Sequence, residues 1–298
     1  MTESIMKLAF VQFDVFSNTR FEGNQLAVFL DGRRLSDQQM QSIAREMNLS
    51  ETTFILPRDK ATERERGSRV RIFTVAEELP FAGHPTLGTA FALRGTSQVP
   101  EITLDLNVGP VPVRFEDADG IPPFGEMRQI DPKFMAQHDR GAVARATGLT
   151  VDDFDPNLPI ETVSTGVPFT VVPLRTLSRI RTLSFNPSAA AEYLAKSDGE
   201  FFYFVCCETL DPNAGLHARM IFYNGEDPAT GSAAGCTASW MVAHGVAQPD
   251  ERVLIEQGIE MHRPSKIFVR AAKEDNRVVN VRVGGNAVEV LRGEMFVS

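Results

Sequence analysis

Two short segments of the chain share one pattern, and both carry side chains that can bind an anion or move a proton. The first is Glu78-Leu-Pro-Phe-Ala-Gly-His84, and the second is Glu226-Asp-Pro-Ala-Thr-Gly-Ser232. Each contains a turn at proline and glycine and then runs into small residues that favour a helix. A helix start presents backbone N–H groups and partial positive charge, so it can hold an anion without lysine or arginine. Two such starts predict two related halves that face one small anionic ligand.

Glu51 is the first candidate for acid–base chemistry. It lies where a predicted helix ends near Asn48 and a strand rich in β-branched residues begins. A carboxyl group that moves protons at neutral pH needs its pKa raised from about 4.3 by burial. The sequence does not show that burial. On local grounds alone a glutamate at a strand start is typically a surface residue, so both interpretations stay open at this point.

Three further side chains in or beside the repeated pattern are candidates. His84 can carry a proton because its unperturbed pKa is about 6.5, although a histidine at a helix start is often only hydrogen-bonded. Asp227 can orient a substrate amine or a proton-transfer group, although an aspartate before a helix often forms a turn or a cap. Ser232 can donate to a bound carboxylate, although a serine at this place often caps the helix.

Other chemical signatures are weak. The chain has no G-x-G-x-x-G or Walker pattern, so a nucleotide cofactor is not expected. Its histidines lack the spacing of metal ligands, so no metal is expected either. Cys206, Cys207 and Cys236 form no C-x-x-C pattern and no disulfide framework. We interpret all three as core residues.

Composition limits the class of protein. The chain has 298 residues and a formal net charge of −9, which argues against a nucleic-acid partner but not against a small anion at a helix start. The sequence shows no signal peptide and no apolar segment long enough for a membrane span, and its cysteine usage fits a reducing compartment. We therefore expect a cytoplasmic protein. Arginines alternate with glutamates over residues 63–71, which predicts a solvated loop or hairpin.

The predicted elements place the candidate residues in two similar halves. Strand patterns at residues 8–16, 26–30, 51–56 and 69–74 precede an apolar helix that begins near His84. Between the second and third of these strands, Ser36 and Gln39 form a capping-box pattern that predicts the start of another helix. Strands at residues 161–164, 169–172 and 201–205 likewise precede the small-residue helix that follows Ser232. Residues 119–125 are rich in proline and glycine and are interpreted as a linker. This gives an N-terminal domain of residues 1–120, which can also recruit the last about 12 residues of the chain, and a C-terminal domain of residues 121–298.

Several motifs of the chain resemble those of a known family. Asn48-Leu-Ser-Glu-Thr-Thr-Phe54, residues 78–90 and residues 226–235 closely resemble motifs of the PhzF-like phenazine-biosynthesis family. Glu22-Gly-Asn24, Gln257-Gly258 and Arg263-Pro-Ser265 are also similar to its pattern. The resemblance implies an α+β, diaminopimelate epimerase-like fold of two pseudo-symmetric domains. Each domain is then a curved, barrel-like mixed sheet around a central helix, with the site in the cleft.

The resemblance also implies roles for individual residues. Glu51 takes the place of the family's general acid/base, and His84 and Asp227 match residues that hold the substrate and assist proton movement. The implied substrate contacts are Gly83, Ser232, Gly231, Asn24 and Gln257. Epimerases of this fold use one cysteine from each domain, and the matching stretches here carry no such pair.

The expected activity is therefore a cofactor-independent isomerisation. A proton would move between carbons of a small, cyclic amino or hydroxy acid similar to trans-2,3-dihydro-3-hydroxyanthranilate, with a small carboxylate as the only required partner and a homodimer as the expected assembly. Two alternatives stay open. One is a protein on the same scaffold that binds a small carboxylate without catalysis, and the other is an epimerase or racemase of related fold.

Overall fold

A computed structural model describes residues 5–119, 121–184, 186–222 and 225–297 of the chain. The first elements are β1 (Met6–Val15), β2 (Asn24–Phe29), α1 (Asp37–Met47), β3 (Glu51–Leu56), α2 (Lys60–Arg66), β4 (Ser68–Phe73), β5 (Glu78–Leu79), α3 (Gly83–Arg94), β6 (Glu101–Leu106), β7 (Gly109–Ala118) and β8 (Ile121–Arg128). The later elements are β9 (Lys133–Gln137), α4 (Arg140–Thr147), β10 (Glu161–Ser164), β11 (Pro168–Leu174), α5 (Leu177–Arg181), α6 (Pro187–Leu194), β12 (Phe201–Cys206), β13 (Leu216–Phe222), β14 (Gly225–Asp227), α7 (Gly231–Ala243), β15 (Val253–Gln257), β16 (Ser265–Glu274), β17 (Arg277–Gly285) and β18 (Ala287–Val297). Short 3-10 helices lie at Val151–Asp153 and Ile259–Met261.

The chain divides into two compact units. Unit 1 comprises Met1–Met127 with Gly284–Ser298, and unit 2 comprises Arg128–Val283. Within unit 1, β18 runs antiparallel to the whole of β1, so the end of the chain adds a strand to the first sheet. Whether the units fold as independent domains with the boundary at residue 120 stays a prediction.

Unit 1 is a mixed sheet packed on one buried helix. Its strands pair in the order β18–β1–β2–β3–β4–β6–β7–β8, and the short β5 also pairs with β4. The β2–β3 and β4–β6 pairs are parallel, and the other pairs are antiparallel. Almost every residue of α3 is buried, as expected for a helix without a polar face. The core of this unit therefore lies between α3 and the strands it contacts.

Unit 2 repeats this arrangement. Its strands pair in the order β9–β10–β11–β12–β13–β15–β16, and the short β14 also pairs with β13. The β11–β12 and β13–β15 pairs are parallel, and α7 is the apolar helix buried against the sheet. The run β2, β3, β4, β5, α3, β6 thus corresponds in order and direction to β11, β12, β13, β14, α7, β15. The predicted α+β class and the related halves are confirmed, and the pairings of the described strands leave the sheets unclosed.

One ion pair occurs at the same place in each unit. In unit 1 the Arg71 guanidinium donates to both carboxylate oxygens of Glu78, with Nε 2.8 Å from Oε1. In unit 2 Arg219 makes the same paired contact with Glu226, again with Nε 2.8 Å from Oε1. Such paired, charge-assisted hydrogen bonds fix geometry as well as charge. The two glutamates of the repeated pattern therefore fasten the hairpins that precede α3 and α7.

Two local predictions are wrong and two are confirmed. The arginine-rich stretch is not a solvated loop or hairpin, because it forms α2 and β4, where side chains of β4 face the core. Strand β4 agrees with the strand predicted at residues 69–74. The expected linker at residues 119–125 is largely strand β8, although Gly120 lies outside the described residues. The predicted capping box is present, with Ser36 and Gln39 exchanging hydrogen bonds at the start of α1. Within the described ranges, no helix is both long and apolar enough to cross a membrane.

Candidate active site

Three polar side chains meet at the start of α3 in unit 1. Glu51 begins β3, Asn24 begins β2, and His84 is the second residue of α3. Asn24 and His84 are buried, whereas 16% of the Glu51 side chain is exposed. Glu51 Oε2 lies 3.5 Å from His84 Nε2, and Asn24 Nδ2 lies 3.2 Å from His84 Nδ1. The structure thus brings together the predicted acid/base Glu51 with two of its predicted partners.

Burial keeps His84 neutral. It lowers the pKa of the imidazole to about 3, and a hydrogen bond with the Gln25 backbone opposes this only in part. The two ring nitrogens have different neighbours, because Nδ1 faces the Asn24 amide and Nε2 faces Glu51. A pKa of about 3 lies well below the unperturbed value of about 6.5, and the role of His84 in proton movement stays a prediction. His84 can act as a neutral hydrogen-bond donor to the carboxylate.

Buried contacts fix the position of Glu51 relative to α3. Two residues after Glu51, the Thr53 hydroxyl lies 2.9 Å from the Thr89 hydroxyl of α3, and both threonines are fully buried. At Gly88 a Cβ atom would lie 2.6 Å from Leu26 Cδ2, so the helix packs against β2 at a distance that only glycine permits. The sequence analysis did not identify these residues as part of the site. The pairing of two small polar residues across 36 positions carries no local signal.

A second polar network lies at the start of α7 in unit 2. Asp227 ends β14, is buried, and accepts a hydrogen bond of 2.7 Å from the Thr230 hydroxyl. Gln257, at the end of β15, donates to the Asp227 backbone carbonyl at 2.8 Å and to Thr230 Oγ1 at 3.0 Å. The Gln257 carbonyl oxygen accepts from the Tyr203 hydroxyl at 2.8 Å and from the Thr230 amide at 3.2 Å. This network fixes the turn from Asp227 to Thr230.

Gln257 is a supporting residue in this geometry. It is fully buried, and a glutamine amide offers two donor hydrogens and an acceptor oxygen with two lone pairs. All of these are engaged by Asp227, Thr230 and Tyr203. A direct contact with a substrate would break one of these bonds, so the geometry favours a positioning role over the predicted substrate contact. Tyr203 and Thr230 are members of the network that the sequence analysis did not single out.

Ser232 does not cap its helix. It is the second residue of α7 and half-buried, and the N-cap is Thr230, whose side chain does not cap the helix. Within the part of the chain that the structure describes, the Ser232 hydroxyl makes no hydrogen bond. Of the two alternatives for this serine, the cap is therefore wrong. Gly231, just before it, accepts a 3.0 Å hydrogen bond from the buried side chain of Gln129 through its carbonyl.

Both central helices begin without a side-chain cap. The N-cap of α3 is Ala82, directly before Gly83, and the N-cap of α7 is Thr230. Neither makes a side-chain hydrogen bond to the first helical turn. The first backbone N–H groups of each helix therefore donate no hydrogen bond to the N-cap side chain, which is their usual acceptor. This geometry is compatible with an anionic ligand at either helix start.

The cysteines do not form a reactive pair. Cys236 lies inside α7, is fully buried, and burial raises its pKa to about 11. Cys206 is also buried, and burial raises its pKa to about 11. The core interpretation of Cys207 is wrong, because this residue is exposed. Among the described residues, no group of three or more histidine, cysteine, aspartate or glutamate side chains is placed to hold a metal ion.

Comparison with known proteins places this arrangement in a class. The two units share one topology, in which a mixed sheet packs on a single buried helix. The sequence pattern of the phenazine biosynthesis-like protein family (PhzC-PhzF) matches residues 13–293, and the chain belongs to this family. It is 37% identical to an uncharacterized isomerase of Mesorhizobium japonicum over 302 residues, covering 97% of this chain and 98% of the relative. It is 33% identical to the trans-2,3-dihydro-3-hydroxyanthranilate isomerase of Pseudomonas aeruginosa, covering 96% of this chain and 99% of that enzyme.

Solved structures agree with this assignment. A structure described as a predicted epimerase of Pseudomonas aeruginosa superposes with a TM-score of 0.83 at 35% identity, covering 98% of this chain and all of that one. A PhzF-family phenazine biosynthesis protein of Bacillus anthracis gives a TM-score of 0.87 at 26% identity with the same coverage. The predicted family, fold and isomerase class are confirmed. The substrate, the residue roles and the assembly stay predictions.

Proposed function

We propose that the protein moves a proton between carbons of a small cyclic amino or hydroxy acid, with Glu51 as the general acid/base and without a cofactor. The substrate class is taken from the family, whose Pseudomonas aeruginosa relative carries the name trans-2,3-dihydro-3-hydroxyanthranilate isomerase. The observation that carries the proposal is the 3.5 Å approach of Glu51 to the buried His84. It puts a partly exposed carboxyl group beside a buried imidazole whose pKa is lowered by burial.

A single side chain, Glu51, can carry out both proton transfers of the proposed reaction. Glu51 as carboxylate removes a proton from carbon, and the electron pair of the C–H bond spreads over the conjugated substrate. Glu51 as carboxylic acid then returns the proton to another carbon, so no oxidant, reductant or co-reactant is needed. A positioned base of this kind contributes about 10²–10⁴-fold in rate. Neutral His84 would donate to the carboxylate form and hold its orientation while the proton moves.

The remaining predicted site residues receive supporting roles. Asp227 is proposed to bind a polar substrate group and assist proton movement, because the Thr230 hydroxyl fixes its carboxylate at 2.7 Å. Ser232 and the backbone at Gly231 are proposed to bind a substrate carboxylate at the start of α7, since helix starts favour negative charge. For the same reason the backbone at Gly83 is proposed to bind a polar substrate group at the start of α3. Asn24 and Gln257 are proposed to position His84 and the Asp227 turn rather than to contact substrate.

Proton NMR in heavy water tests this proposal. Purified protein is incubated with trans-2,3-dihydro-3-hydroxyanthranilate and related cyclic amino acids, and deuterium entry at ring carbons is followed. Glu51→Gln is the test variant. Glu46→Gln is the matched control, because Glu46 is an exposed glutamate in α1. We expect deuterium entry with the unaltered protein and the control, and none with Glu51→Gln at unchanged thermal stability.

Each competing result contradicts a defined part of the proposal. Exchange that survives in Glu51→Gln would remove Glu51 from the acid/base role. Tight binding of these acids without exchange would favour the non-catalytic binding protein. Exchange confined to a stereocentre, with inversion, would identify an epimerase or racemase.

The family also leads us to propose a homodimer. Light scattering on the purified protein measures the mass in solution. One chain has a mass of 32.9 kDa, and a measured mass near that value would contradict the dimer.

A further inference from the structure

A buried histidine that the proposed reaction does not use lies between two carboxylates in unit 2. His217 is on β13 and is fully buried. Its Nδ1 lies 2.7 Å from Glu256 Oε1, and its Nε2 lies 3.3 Å from Glu260 Oε2. Glu256 is on β15, directly opposite His217 in the parallel pairing, and Glu260 is in the 3-10 helix that follows β15. One imidazole ring thus connects β15 to the 3-10 helix after it.

This arrangement favours a proton on both ring nitrogens, because Nδ1 is hydrogen-bonded to Glu256 and Nε2 lies beside Glu260 at ion-pair distance. A neutral imidazole has one bare nitrogen, and here that nitrogen would face a carboxylate oxygen, lone pair against lone pair. Two neighbouring carboxylates, of which Glu256 is buried and Glu260 half-buried, are also unfavourable without a cation between them. The glutamate side chains raise the pKa of His217 above its ordinary value although burial opposes this. The geometry therefore points to an imidazolium.

Other charged groups surround the cluster without replacing this cation. Glu256 also accepts hydrogen bonds from the backbone of Leu210 and Asp211, at 2.7 and 2.8 Å. Titratable side chains near the cluster include Cys206 opposite His217 on β12, Arg219 paired with Glu226, Arg181 at 3.3 Å from Glu260, and Lys266 opposite Glu256 on β16. Arg219 pairs with Glu226 and Lys266 with Asp211, outside the cluster, whereas Arg181 pairs with Glu260 itself. The pKa of the Cys206 thiol is raised, so His217 is the group placed to change charge near neutral pH.

The two glutamates flank the residue that holds the proposed substrate-binding turn. Gln257 follows Glu256 directly, and its amide fixes Asp227 and Thr230. Gly258 comes next with φ +76°, and a Cβ atom there would lie 2.5 Å from the carbonyl oxygen of Pro228. The stretch from Glu256 to Glu260 therefore packs directly against the Asp227–Thr230 turn. Movement of this stretch would move the turn with it.

We propose that His217 is a positioning residue, which as an imidazolium ties Glu256 to Glu260 and thereby holds Gln257 against the Asp227–Thr230 turn. The link from His217 to the turn rests on geometry alone. Its consequence for catalysis rests on the proposed function of Asp227. Loss of the proton on His217 leaves Glu260 with Arg181 as its remaining cation and ends its tie to Glu256, which loosens the stretch and weakens the positioning of Asp227. The proposal thus assigns to this enzyme a decline in activity at alkaline pH that originates away from the reacting atoms.

Histidine-selective NMR on the full-length protein tests the charge of His217. The five histidines are labelled with ¹⁵N, and His217→Gln assigns the His217 ring signals. We expect both His217 ring nitrogens to be protonated at neutral pH and to titrate above the ordinary value of about 6.5. In Glu260→Gln, which keeps the size of the side chain but removes its charge, the titration midpoint should fall. A His217 ring that is neutral at pH 7 would overturn the proposal.

A second measurement follows the turn itself. The side-chain amide of Gln257 and the backbone amide of Thr230 are observed by NMR without substrate as the pH is raised. We expect both signals to shift with the midpoint of His217 and to lose this pH dependence in His217→Gln. His262→Asn is the matched control, because His262 is exposed and lies just beyond the 3-10 helix that contains Glu260. Its positive φ is one that asparagine tolerates. Signals that ignore the His217 midpoint would contradict the link to the turn.

Kinetic measurements then test whether His217, Glu256 and Glu260, here called the clamp, affect the reaction. On a substrate that the unaltered protein converts, His217→Gln should lower kcat/KM about tenfold and flatten the alkaline limb of the pH profile, whereas His262→Asn should leave both unchanged. The double variant His217→Gln/Glu260→Gln should recover thermal stability without recovering the pH dependence. If the unaltered protein converts no tested acid, the proposed function fails. The two NMR measurements still show whether His217 is an imidazolium and whether its charge affects the Asp227–Thr230 turn. If turnover is normal in His217→Gln, the catalytic consequence of the clamp is wrong.

Discussion

Replacing Gln257 by leucine tests whether one buried amide holds the Asp227–Thr230 turn. Leucine has a similar size and can occupy the fully buried site, but it offers no hydrogen bond. The Tyr203 hydroxyl, the Thr230 amide and the Asp227 carbonyl would then lose Gln257 as their partner. The Thr230 hydroxyl keeps its bond to the Asp227 carboxylate, so this variant affects only part of the network.

The expected cost follows from these three groups. A buried polar group that loses its partner costs about 1–3 kcal/mol, and neighbouring groups partly relax. We therefore expect the free energy of unfolding of unit 2 to fall by about 3–6 kcal/mol. Tyr203→Phe is the matched variant, because it removes one hydroxyl and leaves the Gln257 oxygen bonded to the Thr230 amide. Its expected cost is about 1 kcal/mol.

The sequence provides a local probe for this measurement. Trp240 is the only tryptophan of the chain, and it is fully buried in α7 of unit 2. Urea titrations followed by its fluorescence report the unfolding of the unit that contains Gln257. Equal costs for Gln257→Leu and Tyr203→Phe would refute the reasoning, since they would mean that Gln257 supports only the tyrosine. A cost below about 1 kcal/mol for Gln257→Leu would mean that the turn does not depend on the amide.

Three further predictions follow from buried positions. Gly88→Ala should destabilise unit 1 by about 1–3 kcal/mol because the new methyl group overlaps neighbouring side chains, which thermal unfolding measures. The raised pKa of His217 means that its stabilisation is complete below about pH 6.5 and is lost as pH rises through the folded-state pKa. His138, whose pKa burial lowers, acts in the opposite sense below about pH 6.5, so the alkaline difference between the unaltered protein and His217→Gln isolates His217. A maleimide should label Cys207 rapidly and Cys236 only on unfolding, and mass spectrometry that finds equal labelling would contradict the assigned burial.

The sequence predicted most reliably where a local pattern has a local cause. The capping box at Ser36 fixed the start of α1, and the small residues after His84 and Ser232 marked the two buried helices. The strand predicted to begin at Glu51 is β3 of the structure. The related halves were visible because the two helix starts share one pattern of proline and glycine. These features depend on neighbours within a few residues.

The features that the sequence did not predict have a different origin. The arginine-rich stretch has the alternating charges of a solvated segment, but Arg71 is drawn into the structure by Glu78 and Asp37, the latter 34 residues earlier in the chain. The neutrality of His84 follows from burial by distant strands, which lowers its pKa to about 3 and which no local pattern encodes. Gln257 matched a family motif, but its four partners come from β12, β14 and the turn after β14. Tertiary burial and long-range hydrogen bonds decided each of these cases.

The repeated pattern separates scaffold from chemistry. Positions that agree in the two copies, such as Glu78 and Glu226, are bound to their own arginines and hold the hairpins in place. Positions that differ carry the candidate chemistry, because His84 in one copy is replaced by Ser232 in the other. A duplicated frame can keep its own contacts in both units while each helix start acquires different polar groups. If this argument holds, exchanging Glu226 for glutamine should lower the stability of unit 2, whereas Ser232→Ala should leave stability unchanged and weaken only the binding of a carboxylate.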